Sequence, residues 1–514
     1  MSLPRSFWLL LLAGLALRCV ALNQPLVDAH LIRQCQSAAA TRSLLTEPGF
    51  PLSANIPWQG DLGTRYILEL PLYNYLVIGM HHLAGQLDLS GKLTSVLLWA
   101  VSFICLQLIW RRMLDPRQTL WANAMFVIAP LGVFYGQAFM PEMLVQALAF
   151  GLILTTLRYR ENPTLGRWVA VVAIGLAALL VKLPEVSHLY LIIAVLSFGL
   201  AGWRGLLAPR YLIAAVLTAA AVKAWGTYAD SVNIKDLPEW TSRQILPDFI
   251  GTLGSRFDPK PWAMLALYIG GFIMPGPAAA GVAYGFWVFM RQSRERLLGL
   301  WLLSVAAYYL VWFGNGGTSQ SYYNLPALAP LCALFGIGVS ALLASGKIAR
   351  WRLTATLAVV IALVLPAVPV LRYLFKQDRQ LLAAAAWVRS HTQPGDLILF
   401  RPGHRWDLAD YYANPVMTYY AGRPTFVCTR LTPEPHRRAA LERARYAVVT
   451  LPPPPVAGLA AALNGFRGIT PLRAEPLDWL ESRGFQQTVS NELFLVFERH
   501  STVPPSPPVP ELRD

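Results

Sequence analysis

The sequence predicts an α-helical polytopic membrane protein of about eleven transmembrane helices, followed by a small α/β domain outside the membrane at the carboxy end. Three observations lead there. The 514 residues are 55% hydrophobic and 14% charged, whereas a soluble domain carries roughly a quarter charged residues. Mean hydropathy is +0.44, and apolar stretches long enough to cross the hydrocarbon core, about 30 Å thick, recur over the first 375 residues or so. The basic residues between those stretches alternate so that every cluster falls on one side.

The predicted spans are 6–22, 92–110, 118–136, 141–158, 168–184, 187–203, 210–225, 262–290, 297–314, 322–345 and 353–373. With the first helix running outward, the cytoplasmic connections hold Arg111, Arg112 and Arg117, then Arg158, Arg160 and Arg167, then Arg204 and Arg210, then Arg291, Arg294 and Arg296, and last Lys347, Arg350 and Arg352. That sorting is the positive-inside rule. It requires Pro71 to Ala84 to lie as a helix on the outer surface, because an extra crossing there would put Arg111 and Arg112 outside. It also accounts for the net charge of +15, so nucleic acid is not implied as a partner. Residues 5–22 resemble a signal peptide in length, yet Arg18 before Cys19 and the many later spans favour an uncleaved first helix. The five cysteines have neither CxxC nor metal-ligand spacing and read as structural.

The expected organisation is therefore a transmembrane module over 1–374 with outer loops 23–91 and 226–261, an α/β domain over 375–500 and a disordered Pro-rich tail over 501–514. In the α/β region an Ala-rich helix near 378–391 precedes a PGD turn and the apolar strand LILF at 397–400, with further strands near 424–428, 446–450 and 493–497.

Acids at the outer face are few: Asp28, Glu47, Asp61 and Glu69 in the first loop, and Glu142 after Pro141. Each has an ordinary structural explanation. Asp28 suits a solvated loop or a helix cap, and Glu142 suits a first helical turn, where the helix dipole favours an anion. Lys182 stands at the outer end of an apolar helix, where a cation either snorkels or meets a phosphate. Arg33, Arg42 and Arg65 in the first loop and Arg243, Arg256 and Lys260 in the second add cations suited to an anionic lipid head group. His81 and His82 are adjacent, so they point to different sides of a helix and make a poor metal site. A glycine-rich phosphate loop, a nucleophile elbow and an HExxH motif are all missing, which counts against nucleotide-driven and hydrolytic chemistry.

Five stretches taken in order resemble the membrane-embedded (GT-C) glycosyltransferases of glycosyltransferase family 39, the protein O-mannosyltransferase and aminoarabinose-transferase (ArnT-like) type. They are LALRCVALNQPLVDAH, ELPLYNYLVIGMHHLAG, GQAFMPEMLVQALAF, LLVKLPEV and SYYNLPALAPLCALFG, spread over about 330 residues. The resemblance implies a GT-C fold and a polyprenyl-phosphate sugar donor whose phosphate lies at the outer surface of the cytoplasmic membrane. It further implies a lipid, glycan or protein acceptor of the cell envelope. Asp28 and Glu142 match the family's two acids and are the expected catalytic pair. Arg33, Arg65, Glu69, Tyr73, Lys182, Arg256, Tyr322 and Tyr323 are the expected substrate contacts. Two departures stand out. Glu69 replaces the family's usual Lys before Pro-Leu-Tyr, and strict spacing from Arg42 places Arg33 rather than Asp28 on the first acid. A branch with DxH and RQ in the first loop fits this sequence better and is similar to transferases acting on cell-surface polysaccharide or lipid.

The reaction so implied is an inverting displacement at the anomeric carbon with Asp28 as base and 226–261 closing over the site. A lipid monophosphate paired with Arg or Lys does not strictly require a metal, so no cofactor is expected. The rival class is a polytopic transporter or lipid flippase, against which stand the missing repeated halves and the missing midplane carboxylate relay. A non-catalytic scaffold would leave the five ordered motifs unexplained.

Overall fold

The computed structural model describes residues 3–56, 60, 65–67, 69–205, 207–236, 240–292, 295–314, 320–345, 351–402, 415–428, 434–451 and 477–499. The tail expected over 501–514 lies outside them.

In chain order the elements are helix α1 (Arg5–Cys19), α2 (Leu31–Thr46), strands β1 (Ala54–Asn55) and β2 (Arg65–Tyr66), α3 (Leu72–Ala84), α4 (Leu87–Trp110), α5 (Pro116–Ile128), α6 (Pro130–Tyr135), α7 (Glu142–Glu161), α8 (Leu165–Val181), α9 (Leu183–Ser187), α10 (Leu189–Gly205), α11 (Pro209–Asp236), α12 (Ser242–Ile250), α13 (Pro259–Leu267), α14 (Pro277–Gln292), α15 (Arg296–Val311), α16 (Leu328–Ala344) and α17 (Arg352–Leu374). The carboxy-terminal part adds α18 (Arg379–His391), β3 (Ile398–Arg401), α19 (Val416–Ala421), β4 (Thr425–Val427), α20 (Glu434–Arg443), β5 (Tyr446–Thr450), α21 (Asp478–Glu481), β6 (Phe485–Ser490) and β7 (Phe494–Arg499).

Every predicted span carries helix, but several are broken. By length and composition four described stretches can cross a membrane unaided: Leu87–Trp110, Pro209–Lys235, Ser321–Ala344 and Arg352–His391. The predicted span 262–290 is two helices, Pro259–Ile273 and Pro277–Arg291, bent by 106°. The cause is local. Pro277 cannot donate a backbone hydrogen bond, and Gly276 before it takes φ +60°, a left-handed conformation that costs glycine little. The span 118–136 is likewise divided between α5 and α6, where Ala129 before Pro130 has ψ 118° and leaves the helical region as residues before proline tend to. Two helix starts carry side-chain caps of clear geometry. Asp115 and Gln118 form a reciprocal capping box on α5, and Asp258 caps α13 ahead of Pro259.

The chain forms two compact units that do not follow chain order. The first comprises Met1–Gln24, Leu44–Ser53 and Tyr66–Phe375. Its interior holds a column of aromatic rings, with Phe7 stacked on Phe103 at 5.1 Å and Phe103 parallel to Phe126 at 5.8 Å. Phe150 continues it edge-on to Phe126 at 6.3 Å and to Trp301 at 6.0 Å. Arg18 is fully buried beside this column. Its guanidinium lies 3.7 Å from the centre of the Trp99 ring and donates to the carbonyls of Gly14, Val127 and Gly132 at 3.1, 3.2 and 2.9 Å. The last two flank the broken junction of α5 and α6, so Arg18 supplies a donor to Val127 just before the proline break and a second donor to Gly132, which also accepts from the Gly136 N–H at 3.0 Å.

The second unit comprises Pro25–Ser43, Ala54–Arg65 and Lys376–Asp514, so parts of the long first loop fold with the carboxy-terminal domain. Its sheet has the order β4-β3-β5-β7-β6. β3 runs parallel to both β4 and β5, with Ile398 opposite Thr425 and Tyr446, while β5 and β6 pair antiparallel with β7. All five residues of β5 are buried, as a central strand requires. Leu399, Phe426, Leu441, Val449, Phe485 and Phe497 form much of the core. β6 was not anticipated, because only Phe485 of its six residues is buried and an edge strand of polar residues lacks the apolar pattern that marks strands.

Candidate active site

Four of the five motif stretches converge inside the first unit. The turn before α3 is fastened to the end of α8 by the Leu70 N–H donating to the Leu180 carbonyl at 3.1 Å. From α3, Tyr73 is 1% exposed. Its hydroxyl donates to the Gly91 carbonyl at 3.0 Å and meets Ser95 Oγ at 2.9 Å. Ser95 in turn donates to the Ala138 carbonyl at 2.6 Å, which fixes the segment leading into Pro141 and Glu142. The turn Ser321–Ala327 before α16 is clasped from three sides: Tyr135 Oη meets Ser321 Oγ at 2.8 Å, Tyr308 donates to the Tyr323 carbonyl at 2.9 Å, and Tyr309 donates to Asn324 Oδ1 at 3.1 Å.

At the meeting point Lys182 Nζ lies 2.6 Å from Glu142 Oε1 and 2.9 Å from Glu185 Oε1. The same ammonium sits 4.3 Å from the Tyr322 ring centre and 5.2 Å from that of Tyr323, within reach of cation–π attraction. Local sequence explains each position. Glu142 opens α7 directly after Pro141, where the helix N-terminus favours a carboxylate. Pro184 in α9 breaks the run from α8, leaving Lys182 with non-helical φ −157° and ψ 88° and turning its side chain inward. Glu185 follows three residues later on that turn. All three groups are at least nine-tenths buried. Two carboxylates thus share one ammonium in this buried cluster.

Nearby polar groups complete the surroundings. Trp312 Nε1 donates to Ser187 Oγ at 2.8 Å, and His188 packs on Tyr308 with ring centres 5.5 Å apart. Glu185 was missed by sequence reasoning, although the spacing of VKLPEV offered the signal: Lys and Glu three apart on a proline-started helical turn face each other.

The structure thus brings together Glu142, Lys182, Tyr322 and Tyr323, with Tyr73 and the Glu69 turn linked to them through hydrogen bonds. Arg256 is engaged elsewhere in this unit. It donates to the Leu310 carbonyl from Nε at 3.1 Å and from Nη2 at 2.9 Å, to Ile250 at 3.0 Å and to Thr252 at 2.7 Å. It therefore caps the carboxy ends of α12 and α15. Asp28, Arg33 and Arg65 belong to the second unit. There Asp28 is 2% exposed and accepts from Gln34 Nε2 at 2.5 Å, three residues before α2 begins. Among the described residues no group of three or more His, Cys, Asp or Glu is placed to hold a metal ion.

Known proteins resemble this chain in two ways. Residues 69–226 match the family model described as dolichyl-phosphate-mannose-protein mannosyltransferase, a stretch that contains Tyr73, Glu142, Lys182 and Glu185. No curated protein sequence matches significantly. In three dimensions the crystal structure of ArnT from Cupriavidus metallidurans in the apo state aligns with a TM-score of 0.63 at 14% identity, over 95% of this chain and 97% of that one. The Archaeoglobus fulgidus oligosaccharyltransferase in the apo form aligns with a TM-score of 0.52 at 14% identity, over 86% of this chain and 69% of that one. The oligosaccharyltransferase AglB of the same organism, solved with an inhibitory peptide and a dolichol-phosphate, gives 0.50 at 12% identity over 86% and 69%. The chain accordingly has the GT-C fold of a helical, multi-pass membrane protein, and its residues 69–226 are similar to the dolichyl-phosphate-mannose-protein mannosyltransferase model.

Proposed function

We propose that this protein transfers a sugar from a polyprenyl-phosphate donor to a cell-envelope acceptor at the outer face of the cytoplasmic membrane. The observation that carries the reading is the convergence of four motif stretches on the buried Glu142–Lys182–Glu185 cluster, in a chain that aligns with ArnT over nearly its full length. The solved AglB complex with dolichol-phosphate supports a lipid-linked donor for this fold.

In the proposed step an acceptor hydroxyl attacks the anomeric carbon and the new C–O bond forms with inversion. The bond from that carbon to the donor phosphate oxygen breaks, its electron pair leaving with the lipid phosphate. The hydroxyl proton passes to Asp28. Arg33 and Arg65 are the proposed phosphate contacts, and in the first unit Lys182 holds Glu142. Proton transfer to a placed carboxylate contributes roughly 10² to 10⁴ in rate, and charge stabilisation of the leaving group adds to it.

Two measurements test this. Cells lacking the chain should accumulate a polyprenyl-phosphate sugar and lose that sugar from an envelope glycan or lipid, both visible by mass spectrometry. The accumulated lipid, purified, then serves as donor for membranes carrying Asp28→Asn. Transfer is expected to fall about 10² to 10⁴-fold at normal protein level. Unaltered transfer would remove Asp28 as the base, and absence of any accumulated lipid-linked sugar would remove the transferase reading.

A further inference from the structure

The stretch that carries Asp28 is held by Asp378 and Tyr420, residues far later in the chain. Asp378 donates its backbone N–H to the Val27 carbonyl at 2.8 Å. On the neighbouring residue, the Leu26 N–H donates to the Tyr420 hydroxyl at 2.6 Å. Leu26 and Val27 are both 0% exposed, so their backbone groups have no water to turn to and depend on these partners. Both partners are themselves fixed. Asp378 caps α18 through its side chain, which accepts from the Leu381 N–H at 3.1 Å. Tyr420 lies on α19, its ring perpendicular to that of Tyr419 at 5.1 Å, and Arg389 donates to its carbonyl. The following helix is tied to the same place, since the Arg42 guanidinium covers the Tyr419 ring at 4.1 Å and donates to the Tyr419 carbonyl at 3.3 Å.

Asp28 is the next residue along this clasped segment, and its side chain accepts a hydrogen bond from Gln34, six residues on. Displacement of a reacting group by about 1 Å costs on the order of 10² in rate, so whatever fixes Leu26 and Val27 fixes the base. From these contacts we infer that the carboxy-terminal domain is part of the catalytic apparatus, with the Tyr420 hydroxyl as a positioning group for Asp28. The inference rests on the reading of Asp28 as base and deepens it. It gives the carboxy-terminal domain a role in turnover beyond that of an appended fold.

The test uses the full-length protein in proteoliposomes with the polyprenyl-phosphate sugar purified from cells lacking the chain. Tyr420→Phe keeps the ring and removes the acceptor for the Leu26 N–H. It is expected to lower kcat by about tenfold, a fraction of the loss a full 1 Å displacement causes, with the donor KM unchanged. Hydrogen exchange in the peptide containing Leu26 should become faster. In the Asp28→Asn background the same substitution should add nothing, because the group it positions is gone. If Tyr420→Phe turns over normally while Asp28→Asn does not, the inference fails and the base assignment stands. If Tyr420→Phe lowers turnover equally in both backgrounds, its role is merely structural and the inference again fails. If Asp28→Asn is itself fully active, the underlying reading fails. Should Tyr420→Phe accumulate poorly, Arg42→Met loosens the same clasp from the other side and is expected to give the same kcat loss without a KM change; normal turnover would overturn the inference.

Discussion

The ammonium of Lys182 and the carboxylate of Glu142 meet at 2.6 Å across 40 residues of sequence, and the contact makes Lys182 a bridge between two acids. Removing the cation leaves Glu142 and Glu185 facing each other in a buried place, and breaking a buried ion pair from one side costs about 3–5 kcal/mol. Lys182→Met is therefore expected to lower the thermal unfolding midpoint in detergent markedly. Lys182→Met combined with Glu185→Gln should recover part of the loss, since one uncompensated charge is removed. A single substitution that melts at the wild-type temperature would show that the pair carries no such weight.

Arg18 supports a second prediction. A Cβ built on Gly136 falls 2.2 Å from Arg18 Nε, so even alanine there pushes the guanidinium off the carbonyls of Val127 and Gly132. Gly136→Ala and Arg18→Leu should each destabilise the protein by about 2–4 kcal/mol, through lost charge-assisted hydrogen bonds and a Val127 carbonyl deprived of its Arg18 donor. The double variant should cost clearly less than the two together, because they act on the same contact. Additive losses in a melting series would refute the coupling.

A third concerns helix packing. A Cβ on Gly285 of α14 would lie 1.8 Å from the Leu334 carbonyl oxygen, and one on Gly338 of α16 would lie 2.3 Å from that of Gly281. Here backbone touches backbone, as small residues permit between membrane helices. Gly285→Ala should force the helices apart and lower the melting point by several degrees. Gly166→Ala, where the added carbon meets nothing within 4 Å, should leave the melting point unchanged or slightly raised. Equal behaviour of the two variants would contradict the packing argument.

The fold class was legible because hydropathy and charge placement are properties of composition, needing no knowledge of neighbours. The breaks were partly legible: Pro130 and Pro277 are visible as letters, but whether a proline kinks a span or folds it back by 106° is decided by what packs around it. Lys182 was legible as a cation in the wrong solvent. Its partners were not, since one lies 40 residues earlier and the other was hidden in a proline turn. Arg256 was read as a head-group cation, yet it also serves carbonyls at two helix ends, Ile250 six residues before it and Leu310 54 residues after. The affiliation of Asp28 with the carboxy-terminal domain left no local trace at all. Hydrogen bonds such as that from Leu26 to Tyr420 impose no periodicity on either stretch.

That affiliation also sets a timetable. Leu26 and Tyr420 are 394 residues apart, and ribosomes add about 5–20 residues per second, so the early segment waits on the order of 20–80 s for its partner. During that interval Leu26, Val27, Leu31 and Cys35, all 0% exposed in the finished protein, have no second unit to be buried in. Nascent chains at this stage need a holdase or the insertion machinery to shield them. A stop codon late in the message would leave residues 25–43 without the carboxy-terminal partners that hold Leu26 and Val27.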